Sequence, residues 1–274
     1  MFFIGKLWLF CYNPIRKMDL MHIFRKKIVN FIKKTKIVKE INFNKFVFYF
    51  LFGLKSQFSK FKISIDTRCL VFSQYPGAEI KGLGGLIAQY PKNFEVLCLT
   101  NGSSLIEGMN SIDCATLKKQ QFQEVMKALR VKGSKIFDIE SKNLKNHYLT
   151  FKKIDISEAD YIFLPNVYDS NIDTLALLKH FKQMLKEKEF KENLKILMYE
   201  SDFALCTLDF FVDISKIIET KKKALKIYYP EDKNKNLAEK IIGINAFRAI
   251  QHNCEYCETF LCFSVDEFLK IPLI

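Results

Sequence analysis

The sequence predicts an α/β protein: a Rossmann-like, mostly parallel sheet with helices on both faces, preceded by a basic helical N-terminal extension. Three observations lead there. From residue 66 onward, short apolar runs of strand length alternate with segments of helical period, the pattern of parallel strands joined by crossover helices. Gly (10) and Pro (6) are scarce among 274 residues and the hydrophobic share is 49%, so one sizeable core is expected and a disordered or collagen-like chain is excluded. Charge, finally, is unevenly placed. Residues 1–65 carry 14 Lys+Arg against only Asp19 and Glu40, while the remainder is nearly neutral although the whole chain is at +13. The expected organisation is an extension over 1–65 and an α/β domain over 66–274.

In the extension, the opening run Met1–Phe10 is apolar but broken by Lys6, and it lacks a basic n-region and a small-residue cleavage site. The run Phe46–Leu54 falls well short of the roughly 20 residues of a spanning helix, so no transmembrane helix is expected. Between them, Met18–Lys39 sets Leu20, Phe24, Ile28, Phe31 and Ile32 at helical spacing among Arg25, Lys26, Lys27, Lys33, Lys34 and Lys36. Two readings stay open. The stripe packs on the body with its lysines solvated, or residues 18–39 lie on an anionic membrane surface, a reading to which Trp8, Phe10 and Tyr12 add. Lys, Ile, Phe and Asn are also abundant together, as an AT-rich coding sequence produces; that explains the lysine count but not its placement. Nucleic acid is not an expected partner, because basic residues without a binding motif are weak evidence. The eight cysteines are scattered, mostly in apolar runs, which fits reduced thiols in a cytoplasm. The expected location is therefore cytoplasmic, with a peripheral position at the inner membrane face if the basic stripe docks there.

In the body, Cys69–Phe72 reads as a strand ending at a Pro-Gly turn, Gly82–Gln89 as a helix, and Phe94–Thr100 as a strand closed by Asn101-Gly102. Thr116–Leu129 reads as a helix, Ile136–Ile139 and Tyr161–Leu164 as strands, Thr174–Lys188 as a helix, Leu194–Tyr199 as a strand and Val212–Tyr228 as a helix. Ligands of such sheets sit beyond the carboxyl ends of the strands, so the loops after Phe72, Thr100 and Leu164 are expected to share one pocket rim.

Those loops carry a pattern. Residues 70–104 read LVFSQYPGAEIKGLGGLIAQYPKNFEVLCLTNGSS. This resembles the LmbE-like/PIG-L family of N-acetyl-sugar deacetylases, in which a strand runs into His-Pro-Asp-Asp-Glu, then a Gly-Gly helix start, then a strand ending in Thr-Asp-Gly. Pro76, Glu79, Gly84, Gly85, Thr100 and Gly102 match in order and spacing. Gln121 and Glu124 stand where the family has Arg-x-x-Glu, and residues 169–174 (DSNIDT) stand where it has Asp-x-His-x-Asp-His. MYESD at 198–202, the stretch 212–228, Arg248 and EYCETF at 255–260 resemble the family's closing elements. The resemblance covers about three quarters of the chain and implies the α/β fold and a cleft.

The family's reaction needs zinc held by imidazole and carboxylate, a carboxylate base for the zinc-bound water, and a group facing the oxyanion. Carried over by position, the ligand places fall on Tyr75, Ala78 and Thr174, the base on Gly77 and the oxyanion group on Asn171. Alanine has no donor atom and Tyr and Thr are poor zinc ligands, so the resemblance implies a protein without the family zinc and no intact catalytic residue; no other cofactor is expected. The remaining pocket candidates are Tyr75, Glu79, Asn101, Asn171 and Asp173. Glu79 is expected to support its loop, Asp173 to orient neighbours, and Asn101 and Asn171 to hydrogen-bond a sugar hydroxyl or amide, with loop or helix capping as the structural alternative for each.

Cys254-x-x-Cys257 with Cys262 and His252 lacks the second ligand pair of a structural zinc site and is read as thiols of a C-terminal strand. His22, His147 and His180 have no partner at metal-ligand spacing, and Gly82-Leu83-Gly84-Gly85 fits a helix start better than a phosphate loop. Three functions remain as expectations: a metal-free pseudoenzyme that keeps a site for a sugar or glycan intermediate and acts in or beside glycan biosynthesis; a carbohydrate amide hydrolase with altered chemistry, using Glu79 or Asp173 as base; and a membrane-surface scaffold working through the basic extension.

Overall fold

The computed structural model describes residues 59–230, 236–250 and 252–273. The amphipathic segment 18–39, and the membrane docking read from it, lie outside the described residues. Eight strands form one sheet: β1 (Ser59–Lys60), β2 (Cys69–Ser73), β3 (Phe94–Thr100), β4 (Gly133–Ile139), β5 (Tyr161–Pro165), β6 (Lys195–Tyr199), β7 (Phe210–Asp213) and β8 (Cys257–Ser264), in the order β1-β7-β8-β6-β5-β2-β3-β4. The run β4-β3-β2-β5-β6 is parallel, β8 is antiparallel to both β6 and β7, and β1 is parallel to β7. Strand order reverses between β2 and β5, so their carboxyl ends open the crevice in which such sheets bind ligands.

The helices are α1 (Ala78–Gln89), α2 (Ser111–Leu129), α3 (Tyr148–Lys152), α4 (Ile172–Glu187), α5 (Ile218–Tyr228), α6 (Leu237–Ala249) and α7 (Val265–Lys270). They cover both faces because strand side chains alternate. Val71, Val96, Phe163 and Leu197 face one core with Ile80, Leu83 and Leu86 of α1, Phe122 of α2 and Leu225 of α5. Phe72 faces the other way, toward Phe151 of α3 and Phe181 of α4, and Phe181 in turn meets Phe268 of α7 edge-on. Each such fully buried side chain contributes about 1.5–3 kcal/mol by leaving water. No helix among the described residues is long and apolar enough to cross a membrane.

Several boundaries differ from the sequence reading: α2 starts at Ser111 rather than Thr116 and β4 at Gly133 rather than Ile136, and three further differences have a visible cause. The segment 212–228 is not one helix. Val212 pairs with Glu258 in β7–β8, and the Asp213 carboxylate accepts from the Ser215 amide (3.0 Å) and hydroxyl (2.7 Å), a turn that ends the strand before α5 begins. Helix α1 starts at Ala78 rather than Gly82, with residues 78–87 buried throughout. It lies so close to β6 that a Cβ at Gly82 would stand 2.3 Å from the Glu200 carbonyl oxygen. Finally, Ser59–Lys60 pair with Phe210–Phe211, and Phe61 and Ile63 are buried in the core. Ser59 and Lys60, placed by the sequence reading in the extension, are therefore part of the sheet, and Phe61 and Ile63 part of its core. Of the C-terminal thiols, Cys257 and Cys262 lie in β8, while Cys254 precedes it and is half-buried.

Candidate functional site

The turn after β2 builds the centre of the crevice. Gly77 has φ +105°, a left-handed conformation that disfavours other residues. Its amide donates to both carboxylate oxygens of Glu79 (3.3 and 3.1 Å). Glu79 is fully buried and also accepts from Ser73 Oγ (2.8 Å) and Tyr228 OH (2.7 Å). Burial pushes its carboxyl pKa up, against those hydrogen bonds, which favour the charged form. Glu79 thus ties β2, the turn and the end of α5 together.

Tyr75, buried, donates to Asp202 in the β6–β7 loop and accepts from the ammonium of Lys81 (2.9 Å). Lys81 follows Ala78 by one helical turn, also pairs with Asp202, and stands over the rings of Tyr75 and Tyr229 at 5.1 and 5.8 Å. Burial alone would lower the Lys81 pKa, yet Tyr229 and Asp202 facing it leave it raised. Burial, with the Asp202 charge, pushes the Tyr75 hydroxyl well above the usual phenol range, so it stays protonated. Lys118 also lies over the Tyr229 ring, at 5.6 Å, and donates to Gln121 Oε1 (2.8 Å) and the Tyr228 carbonyl (3.0 Å). A Cβ at Gly77 would stand 3.0 Å from Tyr229 OH.

Beside this knot is a cavity of about 190 Å³, lined by Tyr75, by Ser104 and Leu105 after β3, by Ser141 and Lys142 after β4, and by Asn171, Ile172 and Asp173 at the start of α4. Asn171 caps α4, its side-chain oxygen accepting from the Asp173 amide (2.8 Å). Asp173 accepts from the amides of Lys142 (2.6 Å) and Leu144 (3.2 Å), and burial raises its pKa against those bonds and the Lys142 charge. Below them Asp169, buried, accepts from Gln74 Nε2 (3.3 Å), Ser201 Oγ (2.7 Å) and the Asn171 amide (2.9 Å). Gln74 Oε1, Ser141 Oγ and Thr174 Oγ1 are buried without a hydrogen-bond partner. A larger cavity, about 300 Å³, opens at the amino ends of β2–β4, ringed by Arg68, Lys132, Lys135 and Lys153 and by Glu95, Asp155 and Glu158. The strand polarity argues for the opposite edge.

The crevice therefore joins Tyr75, Asn171 and Asp173 of the residues singled out from sequence. Glu79 lies beneath it, sealed from it. Asn101 is committed elsewhere, donating to Asp138 (3.1 Å) and accepting from the Ser103 amide (3.1 Å). Ala78 and Thr174 are fully buried. Lys81, Tyr228, Tyr229, Asp202, Ser141 and Lys142 escaped sequence reasoning. For Lys81 a signal existed: it is a lone cation in the otherwise apolar stretch between Ile80 and Ile87. Among the described residues, no group of three or more His, Cys, Asp or Glu side chains is placed to hold a metal ion.

With this geometry, the structure is similar to the N,N′-diacetylchitobiose deacetylase from Pyrococcus horikoshii, at TM-score 0.64 and 18% identity over 85% of this chain and 97% of that one. The fold is that of the LmbE/PIG-L-type deacetylases. A deacetylase in the biosynthesis pathway of teicoplanin matches at TM-score 0.56 and 14% identity, covering 72% of this chain and 97% of its own. The deacetylase fold is not tied to one reaction, however: GalB, the 4-carboxy-2-hydroxymuconate hydratase from Pseudomonas putida, matches at 0.55 and 16% identity, over 72% and 96% of the two chains. No protein-family model and no curated protein sequence matches the chain.

Proposed function

We propose that this chain is a metal-free relative of the sugar deacetylases that binds a carbohydrate-type ligand in the β2–β5 crevice without hydrolysing it, and that it serves glycan biosynthesis as a binding partner. The observation that carries the reading is the Lys81–Tyr75–Asp202 cluster. At the first of the positions where the resemblance puts a zinc ligand, the tyrosine hydroxyl is held between an ammonium and a carboxylate. A fixed cation there opposes a second one. Ala78 offers no donor, and Thr174 supplies a neutral hydroxyl where zinc takes imidazole or carboxylate. At the base position, Tyr229 fills the space a side chain on Gly77 would need. These residues do not fit zinc. What they leave is a small crevice edged by hydroxyl and amide groups, the chemistry that reads sugar hydroxyls.

An amide hydrolase with altered chemistry has less support. Its two candidate bases, Glu79 and Asp173, are both engaged by hydrogen bonds from the turn and loop amides, and unassisted amide hydrolysis faces a high barrier. The test is incubation of the full chain with N-acetyl-hexosamines, following both binding by calorimetry and acetate release. Binding without acetate is expected. Acetate release that a chelator abolishes would overturn the reading.

A further inference from the structure

The crevice rim carries an exposed ammonium, Lys142, that a neutral sugar would not engage. Among its described lining residues Lys142 brings the one ammonium and Asp173 the one carboxylate, and both Asp173 oxygens already accept from the amides of Lys142 and Leu144. Three other carboxylates of the region are committed to neighbours: Asp202 to Lys81 and Tyr75, Asp169 to Gln74, Ser201 and the Asn171 amide, Asp138 to Asn101 and Lys119; Glu140, beside Ser141, is exposed.

The Lys142 loop is also held in a costly shape. Lys142 has φ +71°, a left-handed conformation that a lysine keeps only where its surroundings enforce it, and such residues gather at ligand sites. The enforcement is visible. Asp173 grips the Lys142 amide, and Ser103 Oγ accepts from the Ser141 amide at 3.1 Å. The second observation is Ser141 itself, a residue of the cavity lining whose hydroxyl is buried at its wall with no hydrogen-bond partner. A strained cationic residue and an unpartnered hydroxyl, side by side on one wall, point to a ligand oxygen.

We propose that the ligand is an acidic sugar, a single ring bearing a carboxylate or phosphate that pairs with Lys142 while its hydroxyls meet Ser141 and Asn171. The inference rests on the carbohydrate reading of the same crevice. The volume, about 190 Å³, is of single-ring rather than oligosaccharide size.

Calorimetric titration of the full chain with glucuronic acid, glucose phosphate, glucose and inorganic phosphate tests it, on the native chain and on Lys142→Gln and Ser141→Ala. At least one acidic sugar is expected to bind roughly tenfold or more tighter than glucose, and the two acidic probes tell carboxylate from phosphate. Lys142→Gln should erase that preference, bringing acidic and neutral sugars to similar affinity. Ser141→Ala should weaken all three sugars alike. Equal affinity for acidic and neutral sugars would overturn the acidic-ligand inference and leave the carbohydrate reading standing. Binding of inorganic phosphate, lost in Lys142→Gln, with no sugar bound, would keep the anion site and remove the carbohydrate reading. No binding of any probe would overturn both.

Discussion

At the junction of α1 with β8, Lys221 and Glu258 are fully buried and closely paired (2.7 Å), and Glu258 also accepts from the amides of Gly85 and Leu86 (2.7 and 2.8 Å) while Lys221 donates to the Lys81 carbonyl (2.7 Å). Around the β2–β5 crevice the arrangement is the reverse: Gln74 Oε1, Ser141 Oγ and Thr174 Oγ1 are buried with hydrogen-bonding capacity to spare. Buried polar groups normally find partners. The first region uses its polar groups to hold the chain to itself. The second leaves three of them buried without a partner. The residues that match the deacetylase pattern, such as Glu79 and Glu258, belong to the first kind, and the positions that depart from it cluster in or beside the second.

The largest effect should come from breaking the closed region. Lys221→Met leaves the Glu258 carboxyl buried without its ammonium partner, and removing one partner of such a pair costs about 3–5 kcal/mol; urea unfolding should show a large fall in midpoint. A loss within the range of a surface substitution would contradict the description of that junction.

Next is an attempt to convert the open region back to the family pattern. Gly77→Asp puts a side chain at φ +105° with its Cβ 3.0 Å from Tyr229 OH. It should cost about 1–3 kcal/mol and bring no zinc binding. A variant as stable as the wild type would contradict the crowding of Gly77 against Tyr229.

A smaller, pH-dependent effect concerns Glu79. Its folded-state pKa is raised, chiefly by burial, so between its unfolded value near 4.3 and that raised value the folded state binds more protons than the unfolded chain. Stability from this group is therefore present at acidic pH and lost as pH rises through the folded pKa. Melting temperatures of the wild type and Glu79→Gln across pH 5 to 8 should show the wild type gaining on the variant as pH falls. The opposite slope would mean that the Ser73, Tyr228 and Gly77 hydrogen bonds outweigh desolvation.

The smallest effect on stability is expected at Thr174. Because its hydroxyl has no partner, Thr174→Val should change unfolding free energy by less than about 1 kcal/mol. A larger loss would reveal a partner for that hydroxyl and blur the contrast between the two regions.

Legibility in the sequence followed the same divide. The strand Phe94–Thr100 was readable because an apolar run, broken only by Glu95, ends at Asn101-Gly102. The strand Phe210–Asp213 was not, since it is short, partly exposed on most of its residues and followed at once by a lysine-rich helical period that absorbed it. The two-residue strand Ser59–Lys60 carries too little pattern to be seen. In the crevice, Tyr75, Asn171 and Asp173 were found because a motif could be laid over them. Lys81 and Asp202, or Ser141 and Asn171, meet only once the sheet order places β4 beyond β3 and the β6–β7 loop beside β2. No local pattern encodes that order.

The most direct test of the central claim is a zinc titration of the purified full chain, with total metal measured in the protein as isolated. The account predicts substoichiometric zinc on isolation and no saturable binding at micromolar concentration, with Lys81, Tyr75 and Asp202 keeping the site closed. One zinc per chain, bound tightly and lost on substitution of Tyr75 or Thr174, would contradict it.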